Sequence, residues 1–255
     1  MIAGARQPRE DGPPPVPPSH QGCAIRSVRV QLPARRGEPA GELRAELRDR
    51  HEDGHHHLHH LVWRLDPSLR VCSSAVLGGG IGPRAWILNA QVPGGYPRLD
   101  PDRHLAEIAA AEGLTGPGAG LMTAADVAAY TTGHDGGVTA TVTTGLGVRG
   151  WAAAPESATH APHRPGTVNI VVTLPTALSD AALVNAVATA TEAKVQALLD
   201  AGLDCSGTPT DAVCVAAPEP GPDGGEPFAG PRSTWGARIA RAVHTAVLAG
   251  ARTAR

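Results

Sequence analysis

Two stretches decide the fold: residues 138–146, VTATVTTGL, and residues 166–174, GTVNIVVTL. Both alternate with period two and are rich in β-branched residues, so both read as strands. In the second, Thr167, Asn169, Val171 and Thr173 point to one side, and Val168, Ile170, Val172 and Leu174 to the other. The latter set is wholly apolar and belongs in a core. The former presents an asparagine among threonines. Asparagine is disfavoured in strands, so its place there calls for hydrogen-bonding partners. Thr139, Thr141 and Thr143 form a matching polar row on the first stretch, with Thr144 on the alternate face. Such a row is either a solvated sheet face or, if covered, a surface suited to amide groups. The two strands read as antiparallel neighbours joined by a long connection, 147–166, rich in Ala, Pro and His.

Working outward, residues 61–65, 69–76 and 85–92 read as short strands, with Asp66-Pro67 and the Gly78-Gly79-Gly80 run supplying turns. A helix is predicted from Asp100, with Pro101 at its first position, to Gly113. Another is predicted from Thr123, with Asp126 three residues on. Ser179 caps the longest helix, 180–201, and Gly202 ends it. A strand over 210–217, a Pro/Gly loop over 218–231 and a helix over 234–250 complete the chain. The class is α+β: a mixed, largely antiparallel sheet covered by helices in a single domain. A length of 255 residues suits one domain.

Composition narrows the function. A net charge of −2 lacks the basic footprint of a nucleic-acid binder, and 3% aromatic content offers no base-stacking platform. No apolar run approaches the roughly 20 residues of a membrane span, and the proline-rich start is no signal peptide, so a cytoplasmic protein is expected. The four cysteines (Cys23, Cys72, Cys205, Cys214) show no CxxC pair and read as reduced, packed thiols. Dinucleotide, P-loop, HExxH and GxSxG signatures are all missing.

Residues 1–60 are expected to be a disordered extension of a domain spanning 61–255. Residues 1–22 are proline-rich and charged. Weak alternation over 28–47 suggests an edge strand and a short helix. HEDGHHHLHH, His51 to His60, has the composition of an exposed turn. Imidazole suits transition metals. Histidines in a turn without carboxylate or cysteine partners define no geometry, so no metal site is expected there.

On the long helix, Leu183, Val187, Ala190 and Leu198 share one side, widened by Val184, Val195 and Leu199. Lys194 projects with Leu183, where a charge is costly unless it is paired or its head reaches water. It either snorkels at the sheet edge or binds an anionic group, polarises a carbonyl or holds a base. Glu192 falls on the polar face, where a solvated carboxylate is the plainer reading. The segment Cys205-Ser206-Gly207-Thr208-Pro209-Thr210-Asp211 places small hydroxyls on a glycine-bearing loop leading into a strand. Asp211 either orients a base or water, or merely caps the turn.

Several segments together resemble the adenosylcobinamide amidohydrolase family. They are Ser73-Ser74-Ala75-Val76-Leu77; Asn89 with Val92-Pro93; Met122-Thr123-Ala124-Ala125-Asp126-Val127; and Thr143-Thr144-Gly145-Leu146. Gly166–Val172, Ala190-Thr191-Glu192-Ala193-Lys194 and Gly207–Val213 follow in order, so the likeness covers about residues 70–250. Two departures stand out. Gly78 replaces an asparagine, and Pro209 replaces a glycine, fixing φ and removing one N–H.

The resemblance implies hydrolysis of the amide joining (R)-1-amino-2-propanol to the corrin ring's propionate arm. The product would be adenosylcobyric acid, which re-enters cobalamin synthesis. Such chemistry needs an activated water or nucleophile, oxyanion stabilisation and an acid for the leaving amine. Glu192 or Asp211 is the expected base, and Lys194 or Asn169 the oxyanion stabiliser. Thr208 or Thr210 would orient substrate, with Thr143, Thr144, Thr167, Asn89 and Ser74 helping to bind it. A threonine nucleophile activated by Lys194 is the mechanistic rival. Cobalt would arrive with the corrinoid substrate, so neither a catalytic metal nor another cofactor is expected. The other functional class is a non-catalytic corrinoid- or cobalt-binding trafficking protein.

Overall fold

A computed structural model describes residues 26–28, 43–52, 56–155 and 166–254. The strands are β1 (Arg26–Val28), β2 (Glu46–Glu52), β3 (His56–Arg64), β4 (Leu69–Ser73), β5 (Gly80–Pro83) and β6 (Trp86–Gln91), followed by helix α1 (Pro101–Ala111). Then come β7 (Gly118–Thr123), a 3₁₀ turn (Val127–Ala129), β8 (Thr131–Asp135), β9 (Val138–Thr144) and β10 (Val168–Thr173). Helix α2 (Asp180–Asp200), β11 (Ala212–Pro218) and α3 (Thr234–Thr253) close the chain.

The strands form two sheets, ordered β1-β2-β3-β6-β7 and β5-β4-β11-β10-β9-β8. The expected antiparallel pair is present, with Asn169 opposite Thr143 and Thr173 opposite Thr139. Among the described strand pairs only β6–β7 and β10–β11 are parallel, so the arrangement is mixed and largely antiparallel α+β. Where one sheet was expected, there are two, stacked between helices. Leu61, Trp63, Ile87 and Leu121 of the first sheet share an apolar layer with Val71, Val171, Cys214 and Ala216 of the second. Val168, Ile170, Val172, Val213 and Val215 face the other way, against α2 and α3. On the far side, Val62, Trp86 and Leu88 pack on Leu105 and Ile108 of α1.

Local chemistry explains the boundaries. Ser179 Oγ accepts the Ala182 N–H at 3.2 Å and Ser233 Oγ accepts that of Gly236 at 3.1 Å, capping α2 and α3. Gly136 and Gly137, at φ +52° and +92°, make the two-residue turn that joins β8 to β9. Both positions need left-handed backbone, which a primed hairpin turn requires.

Three expectations change. The helix predicted from Thr123 is instead the end of β7 and the 3₁₀ turn, which Asp126 caps through the Ala128 N–H. The acidic capping pattern was real, but only a three-residue 3₁₀ turn and Tyr130 follow it before Thr131 begins a strand. The histidine run is strand wherever it is described, with residues 53–55 outside the described residues. His56 to His60 lie in β3, paired with β2, and His60 is fully buried. Residues 46–52 and 56–60, assigned to the extension, therefore belong to the first sheet. The alternation of Leu58, His60 and Val62 on one face matches strand period, which the polarity of imidazole obscured. The tail over 1–22, Cys23, and most of the strand and helix expected over 28–47 lie outside the described residues. Cys72, Cys205 and Cys214 are buried thiols. Among the described residues no helix is long and apolar enough to cross a membrane.

Candidate active site

One end of the sandwich gathers the starts of β10 and β11 with the ends of β4, β6, β7 and β9. Asp211, just before β11, is the hub of this end. Its Oδ1 accepts the Val168 N–H at 2.8 Å and the Thr208 hydroxyl at 2.5 Å. Its Oδ2 accepts the Thr208 N–H at 3.1 Å and Lys194 Nζ at 2.5 Å. Four donors thus converge on one carboxylate and fix helix α2, strand β10 and the 207–211 loop to one another.

The lysine does not snorkel. Its side chain is 9% exposed and that of Asp211 11%, so the ammonium is held inside the protein by its partner. Asp211 is more than a turn cap, because it also reaches into the helix layer. Gly207 makes this approach possible. Its φ is +151°, and a Cβ there would sit 2.2 Å from Asp211 Oδ2 and 2.6 Å from Lys194 Nζ. The Thr208 N–H that Asp211 uses is not the one removed by Pro209, so this departure from the family pattern leaves the hub intact.

Thr210 and Thr167 join the same end through a 2.6 Å hydroxyl contact, with Thr210 also 3.4 Å from the Gly166 carbonyl. Ser74 accepts the Val213 N–H at 3.0 Å beside the start of β11. The loop carrying Thr208 is tied to the 150–152 segment. Gly150 N–H donates to Gly207 O at 3.0 Å, Ala152 N–H to Ser206 Oγ at 2.7 Å, and Trp151 Nε1 to Asp204 at 3.2 Å.

The Thr/Asn row is covered, not solvated. Asn169 Nδ2 donates to Asn89 Oδ1 at 2.8 Å and to the Met122 carbonyl at 3.0 Å. Asn89 Nδ2 in turn donates to Thr143 Oγ1 at 3.0 Å. Two acceptors facing Asn169 Nδ2 fix the orientation of that amide. This bridge crosses the apolar layer between the sheets, which accounts for an asparagine in mid-strand. Asn169 Oδ1 is buried and has no hydrogen-bond partner.

Two predicted residues stand apart. Glu192 is exposed on α2, on the side away from Lys194, with no hydrogen bond or ion pair among the described residues. Thr144 turns toward α3, where a Cβ on Gly250 would lie 2.4 Å from its Oγ1. That hydroxyl is buried without a partner.

Sequence reasoning missed a second polar cluster, at the same end of the first sheet. Arg50, fully buried, donates to Glu52 at 2.9 Å, and His104 Nε2 lies 3.0 Å from the other Glu52 oxygen. Tyr96 Oη is 3.0 Å from His104 Nδ1. Burial alone would raise the Glu52 carboxyl, but the His104 hydrogen bond and the Arg50 charge hold it down to about 2. The spacing of Arg48, Arg50 and Glu52 carries period two, yet charged residues on a buried face leave no apolar signal to read. A cleft lined by Leu77, Arg84, Trp86, Ala109 and Leu114 lies beneath α1 and shares none of these residues.

Comparison with known proteins gives two matches. The family model for adenosylcobinamide amidohydrolase matches residues 44–255. A protein of Methanosarcina mazei described as adenosylcobinamide amidohydrolase is 33% identical over 184 residues, which cover 69% of this chain and 88% of the relative.

Proposed function

This chain belongs to the adenosylcobinamide amidohydrolase family, and on that premise we propose that it hydrolyses the amide between (R)-1-amino-2-propanol and the propionate arm of adenosylcobinamide. The products are adenosylcobyric acid, for corrinoid salvage, and the free amino alcohol. The observation that carries a mechanism is the Thr208–Asp211–Lys194 array. A hydroxyl directed at a carboxylate, itself oriented by a third group, is the arrangement of an activated nucleophile. Thr208 is only partly buried and its neighbour Thr210 is exposed, so a bulky corrinoid can present one arm to the hydroxyl while its ring stays outside.

In this reading Thr208 Oγ1 attacks the amide carbon as its proton passes to Asp211. Lys194, whose ammonium has two further N–H donors, meets the developing oxyanion. Collapse breaks the C–N bond, and the proton on Asp211 leaves with the amine. Water then attacks the threonyl ester, giving a proton to Asp211, which passes it to the departing Thr208 Oγ1 as the ester C–O bond breaks. Asn169, Asn89 and Thr143 position β10 against the first sheet.

Purified protein incubated with adenosylcobinamide should release 1-amino-2-propanol and adenosylcobyric acid, followed by mass spectrometry. Thr208→Val should abolish turnover while Thr208→Ser retains it. Full turnover by Thr208→Val with an inactive Asp211→Asn would replace the threonyl ester by direct attack of water. Corrinoid binding without release of the amine would instead favour the trafficking role.

A further inference from the structure

The β2–β3 hairpin carries a cluster that the reaction above does not use. Asp49 stands opposite His59 in register, and His57 stands opposite His51. All four are odd-numbered, so their side chains share one face of the hairpin. His59 Nε2 lies 3.0 Å and His57 Nε2 3.5 Å from the same oxygen of Asp49. The three potential ligand atoms lie within 4.8 Å of one another. The His51 ring stacks on that of His57 with centroids 5.0 Å apart.

We propose that Asp49, His57 and His59 bind a divalent first-row transition cation of the Zn²⁺, Co²⁺ or Ni²⁺ type. Ligand atoms about 2.0–2.1 Å from such an ion lie roughly 2.9 Å apart at right angles and roughly 3.4 Å apart in a tetrahedron. Both measured nitrogen–oxygen separations fall close to this range. The remaining edge, between the two imidazoles, closes by a small rotation of His57, whose side chain is 55% exposed. His51 or water completes the coordination. Two imidazoles and one carboxylate favour these metals over Mg²⁺ or Ca²⁺, which prefer oxygen cages. The strand pairing supplies the scaffold, since neighbouring registers are fixed by backbone hydrogen bonds. The site shares no residue with the Lys194–Asp211 hub.

The test is calorimetric titration of the untagged full chain with Zn²⁺ and with Co²⁺, the latter also followed by its visible absorption. A single saturable site is expected. Asp49→Asn, and His57→Ala with His59→Ala, should each weaken it at least about 100-fold, the upper end of what loss of an outer-shell partner costs. His56→Ala, on the opposite face of β3, should leave it unchanged. Circular dichroism checks folding; if the double variant is not folded, His57→Ala alone carries the test, because that residue is half-exposed. Affinity unchanged in the Asp49 and His57 variants would overturn the proposal. So would equal weakening by His56→Ala, which would mark a general histidine-run effect, or the lack of any saturable binding.

Discussion

Replacing Lys194 with methionine removes the only cation bonded to Asp211 among the described residues while keeping much of the apolar stem. Removing one partner of a buried ion pair costs roughly 3–5 kcal/mol, because the other charge is left uncompensated. Here Asp211 keeps three donors, the Thr208 hydroxyl and the N–H groups of Thr208 and Val168. The loss should therefore sit below that range, at about 2–3 kcal/mol. For a chain of this size that lowers Tm by roughly 4–12 °C. Turnover of adenosylcobinamide should fall about 10²–10³-fold, the range for loss of one oxyanion donor. Urea unfolding followed by tryptophan fluorescence, run beside the kinetics, separates the two effects. The cycle with Asp211→Asn adds a stricter test: once the lysine is gone, the aspartate substitution should cost at least about 1 kcal/mol less than in the wild type. A Lys194→Met protein within about 0.5 kcal/mol of wild type and with near-native turnover would refute this account of the hub.

Gly207→Ala should cost about 1–3 kcal/mol in backbone strain and abolish most turnover by pushing Asp211 off Lys194, since an added Cβ would meet them at 2.2 and 2.6 Å; a variant with wild-type kinetics would show that the bare backbone at this position is dispensable. Acid should destabilise the protein in two stages, measured by urea unfolding from pH 8 to 2. Burial holds the His60 imidazole below its ordinary 6.5, so its contribution is complete above that pH and is lost as pH falls below it. Glu52, held down to about 2 from 4.5, contributes fully above pH 4.5 and loses this as pH falls toward 2; Glu52→Gln should shrink this second stage, to which the lowered carboxyls of Glu112 and Asp100 also contribute, and leave the first unchanged. Truncation to residue 61 removes β2 and half of β3, so it should give insoluble or unfolded protein; a soluble, active truncated protein would contradict the assignment of these strands to the first sheet.

Much of the fold was legible where pattern and chemistry agreed. The β9–β10 pairing, the caps of α2 and α3, and the polar row needing partners all follow from period and residue type. The division into two sheets did not. β4 follows β3 after a short turn yet pairs with β11, about 140 residues on, and local alternation says nothing of which sheet a strand enters. The histidine run misled because imidazoles lower apparent hydrophobicity on a strand that is half buried.

At the site, Lys194 was legible from its place on an apolar stripe and Asp211 from its turn, but not their contact. That pairing depends on where a helix end and a strand start meet. One further signal lay in composition: lysine and arginine total 22, and Lys194 is the only lysine. A compact ammonium can enter the gap beside Gly207 where a planar guanidinium would not fit. Glu192, flagged by its motif, proved to lie on the solvent side of the same helix.

The Asn89–Asn169–Thr143 bridge sets a rule for anyone recombining this chain with its relatives. Asn89 comes from the first half of the chain, while Thr143 and Asn169 come from the second. A crossover between residues 91 and 138 splits the three partners between parents. Such hybrids would be viable only when both donors carry matching amides, whatever their identity elsewhere, since a lone carboxamide buried between two sheets has no solvent to turn to. Libraries built from this domain should therefore inherit these three positions together, as one allele spread over two distant segments.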